Sequence, residues 1–396
     1  MEEALTVARE YVTTETKGTV LKSPPDEIDG PWGQDIISAE NTFKYVFDKL
    51  HHNCYLLCVG NKIEILKLDS STTAPSFKPA LMRLNKTIKG NKRKSMLKTL
   101  KSKEWRVMQC IVKEYKDSVA TEYPHFLEGL NLPKGIFLLN ITDAVILRED
   151  GTEPWHMVSS APLGEYNFKS HLPILSGSGQ KGYWDIPIPN YDDVRLVMGY
   201  DKIGSPTLAW SDKKPVAVFR GGPTGCGYSV ETNMRLKLAA MRSERLDVGL
   251  VKTTAKQLRF DPKEGLGPLE TAQKKVGFLD LITDQSKYKY IINVDGNVAA
   301  FRLLKSMLTG SLILRVKSDY TIWADHLLQE GKHYVAVAAD LSDLNSVLDW
   351  CAQNDAKCKK IADQGRRFAE KVLTKEFLQK YFIELLNTIQ KRIFKQ

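Results

Sequence analysis

The chain of 396 residues is 42% hydrophobic and 26% charged, with a formal net charge of +10. Such a length exceeds one small core and predicts two domains, and the composition is that of an ordinary soluble globular protein. The basic excess favours an anionic ligand, whether nucleotide, polyanion or membrane surface, without choosing among them; no apolar run reaches the roughly 18 to 20 residues that a transmembrane helix needs.

Residues 1–31 are polar, carry Pro24-Pro25 and Gly30-Pro31, and read as a loose lead-in. The opening MEEALTVARE lacks the basic and apolar regions of a secretory signal, and the closing RIFKQ is no retention signal, so the expected location is cytoplasmic. A helix is predicted from Ser38 to about residue 50, followed by apolar runs at 54–59 and 63–68 around Gly60-Asn61, a β-hairpin. Residues 83–106, RLNKTIKGNKRKSMLKTLKSKEWR, hold Glu104 as their one acidic residue. They read either as a solvated helix or loop or as a face for a polyanionic partner. After a helix near 121–130, the run GIFLLNI at 135–141 reads as a buried strand that delivers Thr142 and Asp143 at its carboxyl end. Residues 154–189, rich in Pro, Gly, Ser and aromatics, read as a flexible loop or an interdomain passage. Beyond Pro215, strand-like runs at 216–219, 248–251, 290–294, 312–316 and 334–337 alternate with helical patterns at 231–242, 320–329, 341–351 and 355–373. That alternation predicts a parallel sheet covered on both faces, and 375–394 adds a last amphipathic helix. The six cysteines are dispersed, form no C-x-x-C pair and predict reduced, mostly buried thiols rather than a zinc site.

The run YKYIINVDGNVAAFRLLKSMLTGSLILRV, 288–316, is the most informative. It reads as strand, turn at Asp295-Gly296-Asn297, helix with Phe301, Leu304 and Leu308 on one face, Gly310 cap and second strand. In such a unit the turn lies at a strand's carboxyl end and a helix's amino end, where free N–H groups and Arg302 favour a phosphate. An ordinary core unit with a snorkelling arginine is the alternative. In KKPVAVFRGGPTGCGYSVETNMRLKL, 213–238, a strand ends in Arg220-Gly221-Gly222 before a helix with Arg235. Glycines there admit a close ligand beside a fixed charge, or simply make a turn; the pattern is neither a Walker loop nor G-x-G-x-x-G. Asp143 is placed either as a general base toward a hydroxyl or as a loop or cap aspartate. No Ser-His-Asp or Cys-His set can be assembled, and the chain has no D-x-D, which disfavours metal dependence.

The stretches LNITD, WDIPIPNY, FRGGPTG and KYKYIINVDGNVAAFRLLKSMLTGSLILRV running on to HYVAVAADLSDLNSVLDW, in this order, resemble glycosyltransferase family 90. This is the family of the fungal capsule-associated proteins and animal protein O-glucosyltransferases, often labelled lipopolysaccharide-modifying. The resemblance is closest over 135–373 and poor before about residue 123. It implies an α/β fold of GT-B type, two Rossmann-like domains facing across a cleft, with a C-terminal helix packing back on the first domain. Residues 1–184 would form the acceptor-side domain carrying the base, 185–373 the donor-binding domain and 374–396 the C-terminal helix. The implied reaction is an inverting, metal-independent transfer of glucose or xylose from a UDP-sugar to a hydroxyl of a glycan, protein or lipid-linked acceptor, with no cofactor.

Residue by residue, Asp143 matches the family's base, and Arg220 and Arg302 match arginines that hold the diphosphate. Gly221 and the turn residues Asp295, Gly296, Asn297, Val298 and Ala299 would lie beside the phosphates, and Asp185 and Pro187 would help shape the nucleotide pocket. The chemistry agrees, since an inverting transfer needs one base on the acceptor and cationic support for the departing diphosphate. Three departures stand out: the missing leader and retention motif, Ile-Thr-Asp-Ala-Val where animal members have Arg-Asp-Tyr-Pro, and the Gly-rich FRGGPTGCGY loop. They fit a cytosolic bacterial or large-virus member, in the host cytoplasm if viral, acting on a different acceptor. The competing class is a non-catalytic polyanion- or nucleotide-binding protein on the same fold.

Overall fold

The computed structural model describes residues 28–43, 45–46, 54–60, 63–69, 106–109, 118–150, 169–201, 208–252, 254–256, 268–270 and 275–394. Most of the lead-in, the basic stretch 83–105 and residues 154–168 of the Pro- and Gly-rich passage lie outside them. The chain divides into two compact units: one holds the described residues of 23–198 and 375–396, the other those of 199–374.

The first unit contains α1 (Ile36–Phe43), β1 (Cys54–Val59), β2 (Ile63–Asp69), β3 (Arg106–Gln109), α2 (Ser118–Leu127), β4 (Gly135–Asn140), β5 (Ile174–Ser176), β6 (Ile186–Pro187) and α3 (Tyr191–Val197). Six of its described strands form one sheet in the order β3-β2-β1-β4-β5-β6. The runs flanking Gly60-Asn61 pair antiparallel, as their spacing predicts. A tight hairpin can join only antiparallel neighbours, so the sheet is mixed rather than wholly parallel. β4 runs antiparallel to β1 but parallel to β5, which is parallel to β6. β1 and β4 are buried along their whole length, which explains why both read as unbroken apolar runs. The C-terminal helix Lys375–Phe394 belongs to this unit and buries Leu378, Tyr381, Phe382, Leu385, Leu386 and Ile389, one face at helical spacing. Its Gln379 and Gln390 amides donate to the carbonyls of Phe126 and Lys134 at 2.5 and 3.0 Å.

The second unit contains β7 (Lys214–Gly221), α4 (Met234–Ala240), β8 (Leu246–Leu250), the antiparallel pair β9 (Thr254–Lys256) and β10 (Pro268–Glu270), β11 (Tyr288–Asn293), α5 (Leu303–Met307), β12 (Leu312–Val316), β13 (Val335–Val337), α6 (Leu344–Gln353) and α7 (Asp355–Val372). Its main sheet has the order β13-β12-β11-β7-β8, and every pair is parallel. Alternate strand residues Ala217, Phe219, Tyr290, Ile292, Leu312 and Leu314 pack against Leu236, Leu344, Leu348 and Ile361. Val218, Ile291 and Ile313, out of step by one, are also buried, so both faces are covered. Counted along the chain from β7, the order reads 2-1-3-4-5. The direction of winding therefore reverses between β7 and β11, and the crevice beyond their carboxyl ends is where such sheets bind ligands.

Two local features brace this unit, one at the amino ends of its strands and one after β12. The buried Lys213 ammonium donates to Ser286 O, Thr309 O and Ser311 Oγ at 2.6, 2.9 and 3.0 Å, tying the entrance of β7 to the exit of α5. The helix predicted at 320–329 does not form; a single turn, Asp325–Leu327, is present. Asp325 takes a bidentate pair from Arg315 at 2.5 and 3.0 Å and the Ile322 N–H at 2.7 Å, and this carboxylate rather than helical spacing shapes the segment. Among the described residues no helix is long and apolar enough to cross a membrane. Cys54, Cys58, Cys226, Cys351 and Cys358 are free thiols, all buried except the half-buried Cys226.

Candidate active site

The turn after β11 is held by its own first residue. Asp295 Oδ1 accepts the Ala300 N–H at 2.7 Å, and Gly296 N donates to Val298 O at 3.1 Å, which folds 295–300 into a tight loop. Burial raises the Asp295 carboxyl above its usual range, while Ala300, Ser318, Arg315 and Arg235 pull it down. The loop delays the helix, so α5 has only five residues and Arg302 stands at its N-cap. Cationic character here comes from guanidinium groups, not from a long helix dipole. Asn297, Val298 and Ala299 are buried, and Asn297 Oδ1 accepts Gly225 N at 3.3 Å, joining this turn to the Gly-rich loop after β7.

Arg302 lies with its guanidinium carbon 5.2 Å from the Phe219 ring centroid. Its Nη1 donates to Arg220 O at 2.7 Å, whereas Nη2 is closed off from solvent and has no partner among the described residues. Burial first, and the nearby Arg235 charge second, lower its pKa to about 10. A buried cation without a counter-ion is costly, so the site favours an anion. Asn293 Nδ2, on the last residue of β11, is a second buried donor with no partner among the described residues.

Arg235 was legible only as part of the helix after the loop, yet it organises this edge. Its Nε donates to Asp295 O at 3.0 Å, Nη2 to Val294 O at 3.1 Å, and Nη1 to Gly222 O at 3.2 Å and Thr224 Oγ1 at 2.7 Å. Its guanidinium carbon is 5.9 Å from the centroid of the same Phe219 ring, so two arginines contact one aromatic ring. Asn233 aims it by capping α4, accepting from Arg235 N and Leu236 N. Gly296 leaves room for the strap, since a Cβ there would lie 2.6 Å from Thr224 Oγ1 and 2.9 Å from the Arg235 guanidinium.

Of the sequence-predicted donor residues, Arg220, Gly221, Asp295, Gly296, Asn297, Val298, Ala299 and Arg302 all lie at this edge of the second unit. The Arg220 side chain is committed elsewhere. It pairs with Asp247 Oδ1 at 2.5 Å and donates to Asp247 O at 2.7 Å and Gly277 O at 3.2 Å, and Tyr288 O–H completes the cluster on Asp247 Oδ2. What Arg220 gives the site in this state is its carbonyl.

Asp143, Asp185 and Pro187 belong to the first unit. Asp143 is exposed on the bend that follows β4. Asp185 is 5% exposed, and its carboxylate accepts from Ile146 N, Leu147 N and Ser176 Oγ at 2.9, 2.8 and 2.6 Å. Burial raises its pKa to about 6 against the pull of those donors. Pro187 is half-buried opposite Ser176 in the parallel ladder.

Residues 158–394, more than half of the chain, match the model of glycosyl transferase family 90. The chain belongs to that family. The match takes in every donor-side residue named above, and Asp143 lies upstream of it. Uncharacterized protein 035R of Invertebrate iridescent virus 3 is 28% identical over 92% of this chain and 38% of its own length. Protein O-glucosyltransferase 3 of Homo sapiens is 32% identical over 56% of this chain and 43% of its own. The family 90 chain thus spans less than half the length of these relatives. The crystal structure of Anabaena HepE in complex with UDP-glucose is 14% identical, with a TM-score of 0.31 over 50% of this chain and 53% of that one. Among the described residues, no group of three or more His, Cys, Asp or Glu side chains is arranged to hold a metal ion.

Proposed function

We propose that this family 90 chain is an inverting, metal-independent glycosyltransferase that moves glucose or xylose from a UDP-sugar to an acceptor hydroxyl. In this reading the 199–374 unit is the donor half of a GT-B enzyme, and the 23–198 unit with residues 375–396 is the acceptor half. The observation that carries it is Arg302 Nη2, a buried cationic donor left unsatisfied at the switch point of a parallel sheet.

The acceptor oxygen attacks C1 of the sugar, its proton passes to the Asp143 carboxylate, and the bond from C1 to the diphosphate oxygen breaks with its electron pair leaving on UDP. Arg302 donates to the oxygens on which that charge gathers, and Arg235 adds a second positive charge while holding the turn in place. Asn293 supplies a neutral donor beside the turn at 296–299.

UDP is expected to raise the melting temperature, with ADP and inorganic phosphate giving little. At a hundredfold excess over its dissociation constant, UDP contributes about 2.7 kcal/mol. Turnover of UDP-glucose or UDP-xylose should persist in excess chelator, and NMR of the first product formed should show an inverted anomeric centre. No response to UDP, with binding to heparin that falls steeply with salt, would overturn the assignment. Gly296→Ala drives a methyl group into Thr224 and Arg235. It is expected to weaken UDP binding about tenfold, the scale of one charged hydrogen bond, as read by calorimetry; unchanged affinity would show that Arg235 can move aside freely.

A further inference from the structure

The backbone around Asp143 is gripped from both sides by one side chain. Asn140, the last residue of β4, is 1% exposed. Its Oδ1 accepts from Thr142 N at 3.2 Å and Thr142 Oγ1 at 2.7 Å, and its Nδ2 donates to Ala144 O at 2.7 Å. A single planar amide therefore fixes the residue before Asp143 and the residue after it, leaving the exposed carboxylate on a short, clamped arc. An Asn side chain suits this task because it carries donor and acceptor in one plane and readily hydrogen-bonds its own backbone two residues on.

The amide is anchored in turn. Asn140 and Ser176 are ladder partners of β4 and β5, and Asn140 Nδ2 also donates to Ser176 Oγ at 3.1 Å. Ser176 Oγ donates to Asp185 Oδ1 at 2.6 Å, and the Asp185 carboxylate collects the Ile146 and Leu147 N–H groups farther along the same segment. The buried Tyr45 O–H donates to Ile146 O. The chain from Asn140 through Ser176 to Asp185 thus runs from the carboxyl ends of β4 and β5 to the residue that precedes β6, and returns to the Asp143 segment on its far side. The direction of each bond is mutually consistent: Asp185 accepts throughout, Ser176 passes the donation on, and Asn140 has both kinds of group in use.

We propose that Asn140 is a positioning residue for the glycosyl transfer, holding Asp143 in place through Thr142 and Ala144 with Ser176 and Asp185 as its support. The inference rests on Asp143 being the base. General-base catalysis depends on the carboxylate's reach to the acceptor hydroxyl, and a displacement on the order of 1 Å costs about 10²-fold in rate. In this proposal Asp185 serves the Asp143 segment rather than the nucleotide pocket, and the donor groups Arg302, Arg235 and Asn293 lie in the other compact unit.

The test measures UDP-glucose transfer, donor KM and UDP-induced thermal stabilisation in Asn140→Asp and Ser176→Ala, each with Asp143 intact and with Asp143→Asn. Asn140→Asp keeps the acceptor toward Thr142 and sets a second oxygen against Ala144 O; Ser176→Ala breaks the relay without adding charge. Both are expected to lower kcat by about 10- to 100-fold, leave donor KM and the UDP response unchanged, and cost nothing further once Asp143 is already Asn. A loss of equal size in both backgrounds, or a parallel loss of UDP response, would mean general destabilisation and overturn the proposal. If Asn140→Asp fails to fold, Ser176→Ala decides alone. Full kcat in the foldable variants while Asp143→Asn is inactive removes the positioning role only; full activity in Asp143→Asn removes the base itself.

Discussion

Asp143→Asn is expected to lower the rate of sugar transfer by about 10²–10⁴-fold, the usual contribution of a positioned general base. The substitution is nearly isosteric, and Asn140 and Asp185 hold this bend through the backbone of Thr142, Ala144, Ile146 and Leu147. Folding and melting temperature should therefore change little. The candidate donor groups, Arg302, Arg235, Asn293 and the 296–299 turn, all lie in the other compact unit, so UDP affinity and donor KM should hold while kcat falls. Steady-state kinetics with UDP-glucose, alongside calorimetric UDP titration, checks both halves. Retained transfer would disqualify Asp143; lost UDP binding would show that the substitution acts through structure instead.

The second unit was largely legible because most of its strands are continuous apolar runs. The prediction at 312–316 coincides with β12 (Leu312–Val316), and the pattern at 355–373 overlaps α7 (Asp355–Val372) to within a residue. β7 (Lys214–Gly221) runs longer than 216–219 because Lys214 and Arg220 are ladder residues whose polar side chains hide the strand from a hydrophobicity count. The failed helix at 320–329 has the right apolar spacing but is governed by the Arg315–Asp325 pair, a tertiary contact that spacing cannot show. Strand order was equally hidden. Alternation predicts parallel neighbours, but only the assembled ladder places the reversal between β7 and β11.

The site divides along the same line. Arg302 was readable because the turn that displays it is local in sequence. Arg235 was passed over because its acceptors, Gly222, Thr224, Val294 and Asp295, come together only when two loops meet. The side chain of Arg220 turns toward Asp247, 27 residues farther along the chain, and nothing in FRGGPTG signals that partner. Asn140 sat unremarked inside LNITD, since an asparagine at a strand's end reads as a turn residue until its amide is seen on both sides of Asp143.

Arg302→Met separates binding from stability by moving them in different directions. The thioether roughly conserves volume against Phe219 while deleting the charge. In the unliganded protein the change loses one hydrogen bond to Arg220 O and a cation–π contact, together worth about 2 kcal/mol. Against that, it removes a closed-off Nη2 with no partner among the described residues and the repulsion from Arg235, and relieving the uncompensated charge of this half-buried guanidinium returns a similar amount, on the order of 1–2 kcal/mol. The melting temperature of the unliganded protein is therefore expected to stay within a few degrees of wild type or to rise. With UDP present the balance reverses, because charge-assisted bonds worth about 1.5–3 kcal/mol disappear. Affinity should fall about 10- to 100-fold, and kcat by about 10²–10³ where the same donors meet charge that grows in the transition state. Differential scanning fluorimetry with and without UDP reads both signs in one experiment. A large drop in unliganded stability with the UDP response intact would make Arg302 a structural strut and leave the switch-point crevice without its anion.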